Sequence, residues 1–259
     1  MVRRERWILI SGLTVLVIFA WLYLFTLSSS MSQSGMKMGA GKKAAMPVMM
    51  PWNLNEFSLT FLMWVVMMAG MMIPSAMPMV MIFDKLRRQR HPGHTAIQYT
   101  LVFVAGYLAA WTAYSFFATV AQGWLHNKAL LDMNAAATSP LLGGLVLVTA
   151  GAYQFTKWKD TCLRFCRSPL GYLMTEWRDG LDGAFRMGIK HGAFCLVCCW
   201  MLMALLFIVG VMNLLWGVAI TVYVLIEKVA PGGQWISRAA GAGMLVWGLW
   251  MLGGYLLPS

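Results

Sequence analysis

Seven strongly apolar stretches divide this chain, and their length constrains its fold more than any single motif. They cover residues 7–27, 59–83, 99–122, 140–155, 192–209, 213–226 and 239–257. A helix needs about 20 apolar residues to cross a bilayer. A chain that is 60% apolar and 11% charged has too little polar surface for a soluble domain. The sequence therefore predicts an all-α, polytopic bundle of about seven transmembrane helices, with six as the alternative count.

The pattern divides the chain into three regions. Residues 1–27 are predicted to be an N-terminal anchor span, 28–56 a Met-rich linker outside the cytoplasm, and 57–259 a helical membrane domain with a cytoplasmic Cys-containing loop over 156–190. A break is expected near Gly210, because one helix through both neighbouring apolar stretches would overshoot the bilayer.

The basic residues predict the orientation. Sixteen of the 20 Lys and Arg residues fall in the N-terminus, 84–94, 156–190 and 227–238, and the other four fall between these regions. The positive-inside rule then places the N-terminus in the cytoplasm and the C-terminus outside. The net charge of +11 is explained by this topology and by contact with anionic lipid, so no nucleic-acid partner is expected.

Five cysteines in two tight clusters are the main chemical signal. Cys162 and Cys166 are four residues apart in a basic segment, where Lys159, Arg164 and Arg167 would favour the thiolate form. In the second cluster, helical spacing puts His191, Cys195 and Cys198 on one face, with Cys199 beside them. Thiolates at such spacing can bind a soft metal, although cysteine is also an ordinary buried residue in membrane helices.

Methionines add a second set of soft ligands. Met63, Met67 and Met71 share a helical face, with Met72 on a neighbouring stripe. Pro74 and Pro78 follow and are expected to kink or break this helix. Methionine also fills gaps in helix bundles without contacting a metal, so the packing interpretation stays open. Six more methionines lie in the polar segment after the first span: Met31, Met36, Met38, Met46, Met49 and Met50.

These motifs resemble a bacterial family known as predicted metal-binding integral membrane proteins. The resemblance rests on MMAGMMIPS at 67–75, CLRFCRSPLG at 162–171, HGAFCLVCCWMLM at 191–203, GVMN at 210–213 and the pair Glu227-Lys228. Val197 stands where a glycine is common in the family. The resemblance implies a metal, without naming it, in a protein of the bacterial inner membrane.

Copper is the metal that we infer from the sulfur content, with zinc as the alternative. The candidate ligands are Cys162, Cys166, His191, Cys195, Cys198, Cys199, Met63, Met67, Met71 and Met72. No catalytic constellation is recognisable, so the sequence predicts a non-enzymatic protein that binds Cu(I) for transport or for delivery to a metal chaperone or membrane enzyme complex.

Two other functions stay open. The chain could be a structural subunit of a larger membrane complex, or a thiol redox protein that uses Cys195 and Cys198. For the polar residues, Glu227 is expected to pair with Lys228 or Arg238, and the Asn213 side chain to satisfy backbone groups at the turn.

Overall fold

The structure, a computed structural model, describes residues 2–39, 53–90, 96–128, 130, 131, 136, 139–211 and 213–256, with side chains omitted over 2–6, 31–39 and at 256. The described chain is all-α, which confirms the predicted fold class. The helices are α1 (Val2–Gly39), α2 (Leu54–Arg90), α3 (Ala96–Asn127), α4 (Pro140–Tyr153), α5 (Lys157–Arg167), α6 (Pro169–Glu176), α7 (Gly180–Ala204), α8 (Leu206–Val209), α9 (Leu214–Val229) and α10 (Gly233–Leu256).

Four helical segments among the described residues are long and apolar enough to cross a membrane. They are Trp7–Ser30, Leu54–Arg90, Ala96–Asn127 and Gly180–Val209, and Pro140–Tyr153 is a shorter apolar helix. The count of seven spans stays a prediction.

The Met-rich segment after the first span is only partly described. Helix α1 continues to Gly39, beyond the start of the segment at residue 28. Residues 40–52, with Met46, Met49 and Met50, lie outside the described residues, as do the side chains of Met31, Met36 and Met38.

The predicted break near Gly210 is confirmed. Helix α8 ends at Val209, Gly210 has a φ of 93°, and α9 begins at Leu214. That φ lies in the left-handed region that glycine tolerates best, so this residue allows the chain to turn between two apolar helices. Among the described residues, the Asn213 side chain makes no capping hydrogen bond at the start of α9, so the expected role is not seen there, while its backbone bonds to Gly210 and Gly217.

Helix α2 runs through Pro74 and Pro78 without interruption, so the predicted break does not occur. The carbonyl oxygen of Met72, which precedes both prolines, accepts hydrogen bonds from the hydroxyls of Ser75 at 2.9 Å and Tyr107 at 3.2 Å.

Close contact between α3 and α7 sets the centre of the bundle. A Cβ atom on Gly106 would overlap the carbonyl oxygen of Phe185, and one on Gly188 would overlap that of Phe103. Only glycine therefore lets the two backbones approach this closely, as small residues do at helix interfaces in membranes. The contact brings Tyr107 of α3 against Cys195 of α7.

Candidate metal centre

Helix α7 carries one half of the candidate site. Cys195, Cys198 and Cys199 are each at most 1% exposed and lie in one core cluster. The thiols of Cys198 and Cys199 donate to the carbonyl oxygen of Cys195 at 3.0 and 2.8 Å. These contacts follow from helical spacing, since residues three and four positions apart face the same turn.

Helix α5 carries the other half, and the two cysteine clusters meet. The sulfur atoms of Cys166 and Cys198 lie 4.0 Å apart. Cys162, one turn earlier on α5, is partly buried and packs against the same core. All five cysteines are free thiols, and we call them the sulfur cluster.

Helix α5 is fixed against α9 and α10 by buried polar contacts. The ammonium of Lys159 lies 2.6 Å from a carboxylate oxygen of Glu227, and neither side chain is exposed. Lys159 also donates to the side-chain oxygen of Gln154, which accepts a second hydrogen bond from Ser237 at 2.9 Å. Arg167 donates to the carbonyl oxygen of Ala230 at 2.7 Å.

These contacts overturn two expectations. Glu227 pairs with Lys159 and not with Lys228 or Arg238, because α5 folds back onto the end of α9. The pKa of Cys162 is raised, first by burial and then by the nearby Cys198. The pKa of Cys166 is raised well above its usual value by its contacts with the sulfurs of Cys195 and Cys198, and by burial. The neighbouring basic residues do not activate these two thiols.

The basic side chains of α5 are directed elsewhere, which explains why that prediction failed. Lys159 binds Glu227, Arg167 binds the backbone carbonyl of Ala230 just after α9, and Arg164 donates to the hydroxyl of Thr161 at 3.3 Å. These basic side chains are close to the cysteines in sequence, but their charged groups bind other partners.

A lysine that the sequence analysis did not single out as a site residue contacts the sulfur cluster. The Nζ atom of Lys228 lies 2.9 Å from Sγ of Cys195 and 3.1 Å from Oγ of Ser75. The hydroxyl of Tyr107 lies 3.1 Å from the same sulfur. Helices α2, α3, α7 and α9 thus meet at Cys195. In the sequence, Lys228 stands out only as a lysine next to an apolar stretch. Because it was considered as an ion-pair partner of Glu227, its contact with sulfur was not predicted.

The predicted methionine ligands lie in the same core as the thiols. Met63, Met67, Met71 and Met72 are at most 3% exposed and share one cluster with Cys195, Cys198 and Cys199. Trp64 and Trp111 are buried in this cluster as well. Thiols, thioethers and two indole rings therefore share one buried, apolar core.

His191, the remaining candidate, lies in an aromatic setting. Its ring centroid is 5.6 Å from those of Tyr107 and Tyr172 and 6.2 Å from that of Phe103. Its Nδ1 atom is buried and has no hydrogen-bond partner among the described residues. The helix places it one turn before Cys195.

The donor set has a definite chemical character. Within the described ranges, no group of three or more His, Cys, Asp or Glu side chains is arranged to hold a metal ion. The tetrahedral four-ligand arrangement that structural zinc requires is therefore not preformed there. What the structure does bring together is a close pair of thiols in a core rich in thioethers, the ligand types that suit Cu(I).

Fold and site together define an all-α protein with long apolar helices and a buried sulfur cluster. The chain belongs to the PpoB2 family of copper chaperones, whose family model matches residues 61–251. This range contains every candidate ligand in the core and leaves out the whole of α1. No curated protein and no solved structure matches the chain.

Proposed function

We propose that this protein is an integral membrane copper chaperone that binds Cu(I) in the sulfur cluster and delivers it to a partner protein. The observation that carries the proposal is the 4.0 Å separation of the Cys166 and Cys198 sulfurs inside a methionine-rich core. Metal–sulfur bonds are about 2.3 Å long, so one ion can contact both atoms with little movement of either helix. Copper is the cargo of the family to which the chain belongs.

Each candidate ligand has a place in this proposal. Cys166 and Cys198 form the central pair, with Cys195 as a third sulfur next to it. Met63, Met67, Met71 and Met72 offer weaker thioether ligands through which Cu(I) can move to or from the thiols. Cys162, Cys199 and His191 border the site and complete its sulfur-rich and aromatic wall.

The setting of the site in a membrane is part of the proposal. The four long apolar helical segments support insertion into the bacterial inner membrane. With the N-terminus in the cytoplasm and the C-terminus outside, α5 and the thiols lie towards the cytoplasm, and the methionines of α2 lead away from it. The role is non-catalytic, and the recipient is a metal chaperone or a membrane enzyme complex.

Metal analysis of the full-length protein tests the function. The protein would be purified anaerobically in detergent, loaded with Cu(I), and analysed by mass spectrometry beside a variant with all five cysteines changed to serine. We expect copper near one equivalent in the wild type and its loss in the variant. Zinc retained in place of copper, or a metal-free wild type with intact thiols, would contradict the proposal.

Membrane insertion needs a separate measurement. The expressed protein should remain in the membrane fraction after alkaline carbonate extraction, and a reporter fused to its C-terminus should be active outside the cytoplasm. Release into the soluble fraction would contradict the membrane assignment without affecting copper binding.

A further inference from the structure

Lys228 differs from the other buried cations of the described chain in its partners. The buried lysine and arginine side chains are Arg87, Lys159 and Lys228. Arg87 pairs with Asp179 at 3.5 Å and Lys159 with Glu227 at 2.6 Å. Lys228 is only 6% exposed, yet among the described residues it makes no ion pair with a carboxylate.

A buried ammonium needs a counter-charge, because its removal from water is unfavourable unless an anion or hydrogen-bond acceptors compensate. The atoms that Lys228 contacts are the sulfur of Cys195 and the hydroxyl oxygen of Ser75. Sulfur becomes anionic when a cysteine binds a metal, since thiolate is the ligand form. The position of Lys228 therefore provides a positive charge where a metal–thiolate complex would place a negative one.

The charge count depends on the metal. A Cu(I) ion bound by the thiolates of the central pair, with Cys195 beside it as a neutral thiol, carries a net charge of −1, which one ammonium neutralises. A divalent ion on the same two thiolates would be neutral by itself and would give a net charge of +1 beside the lysine, an unfavourable state in a core of low polarity. Zinc also requires four ligands, and within the described ranges no group of three or more His, Cys, Asp or Glu side chains is arranged to hold an ion.

We propose that Lys228 is a specificity-determining residue, which supplies the counter-charge of a Cu(I)–dithiolate complex and makes the sulfur cluster selective for a monovalent soft cation over divalent ions. The inference rests on the proposed function, since it assumes that copper binds at these thiols. Ser75 orients the ammonium, and Tyr107 holds the sulfur from the opposite helix.

Metal competition on the full-length protein tests this role. Wild type, K228M, K228R and K190M would be purified anaerobically in detergent, and their affinities for Cu(I) and Zn(II) measured against chromophoric chelators. Lys190 is a matched control, because it lies on α7 but is half-exposed and pairs with Glu176. We expect K228M to lower Cu(I) affinity at least about tenfold without lowering Zn(II) affinity, because the buried complex would keep an uncompensated charge. K228R and K190M should stay close to the wild type.

A second variant tests the same charge while keeping the lysine. In S75D, a carboxylate at the position of the Ser75 hydroxyl would pair with Lys228 and remove it from the charge balance of the metal complex, so Cu(I) affinity should again fall. Melting temperatures and free thiol counts would verify that each variant is folded.

The outcomes separate the two proposals. If wild type binds no Cu(I), the proposed function fails. If wild type binds Cu(I) but folded K228M and S75D keep its affinity and its preference over Zn(II), only the role of Lys228 is overturned.

Discussion

The sulfur atoms of Cys166 and Cys198 lie 4.0 Å apart although the two residues are 32 positions apart in the chain. Helix α5 is fixed by the buried pair of Lys159 and Glu227 and by Arg167, which binds the end of α9. Polar interactions that involve neither thiol therefore help to position the helix that carries Cys166.

Removing either sulfur of this pair should abolish tight copper binding. C166S and C198S are each expected to lose most of the bound Cu(I), because each variant removes one of the two thiolates of the central pair. C162S is the matched control on the same helix, since its sulfur lies at the border of the cluster and most copper should remain. Copper per protein after chelator challenge measures the effect, and equal losses in all three variants would contradict a central pair.

Breaking the buried ion pair should destabilise the protein strongly. K159M leaves the Glu227 carboxylate buried without its partner, which typically costs about 3–5 kcal/mol. The double variant K159M/E227L removes both charges and should recover most of the loss. Thermal unfolding in detergent provides the measurement. R238Q is the control, because its exposed pair with Asp160 at 3.5 Å should contribute no more than about 1 kcal/mol.

Separating α3 from α7 should disturb the site from a distance. In G188A the new methyl group would overlap the carbonyl oxygen of Phe103, so the helices must move apart and Tyr107 with them. We expect a lower melting temperature and weaker copper binding. G243A tests the substitution itself, because a Cβ atom there meets nothing within 4 Å, and it should behave as wild type.

The thiol of Cys162 should react slowly in the folded protein. Burial and the neighbouring Cys198 raise its pKa, so at a given pH near 8 a smaller fraction is thiolate than in the unfolded chain. Alkylation followed by peptide mass spectrometry measures the reaction rate of Cys162 as a function of pH. In the folded protein this rate should level off at a higher pH than it does for the same peptide in denaturant. A rate that levels off at the same pH as in the denatured peptide, or at a lower pH, would contradict the raised pKa.

Several features of the fold could be predicted from periodicity and composition alone. The all-α class follows from long apolar stretches, and the turn at Gly210 follows from the length limit on a single helix. The shared helical face of His191, Cys195 and Cys198 likewise follows from the 3.6-residue repeat, which acts within one helix.

The sequence by itself determined the helices, their apolar character and the clustering of thiols along the chain, because these are local properties. Tertiary structure decided which charges meet. Lys159 was expected to favour the thiolate form of nearby cysteines, and it instead pairs with Glu227. Lys228 was expected to form an ion pair with Glu227, and it instead contacts Cys195. Adjacent residues on a helix point in directions about 100° apart, so neighbouring Glu227 and Lys228 face different helices. Their partners depend on how the bundle packs, and that is set by contacts such as the one between α3 and α7.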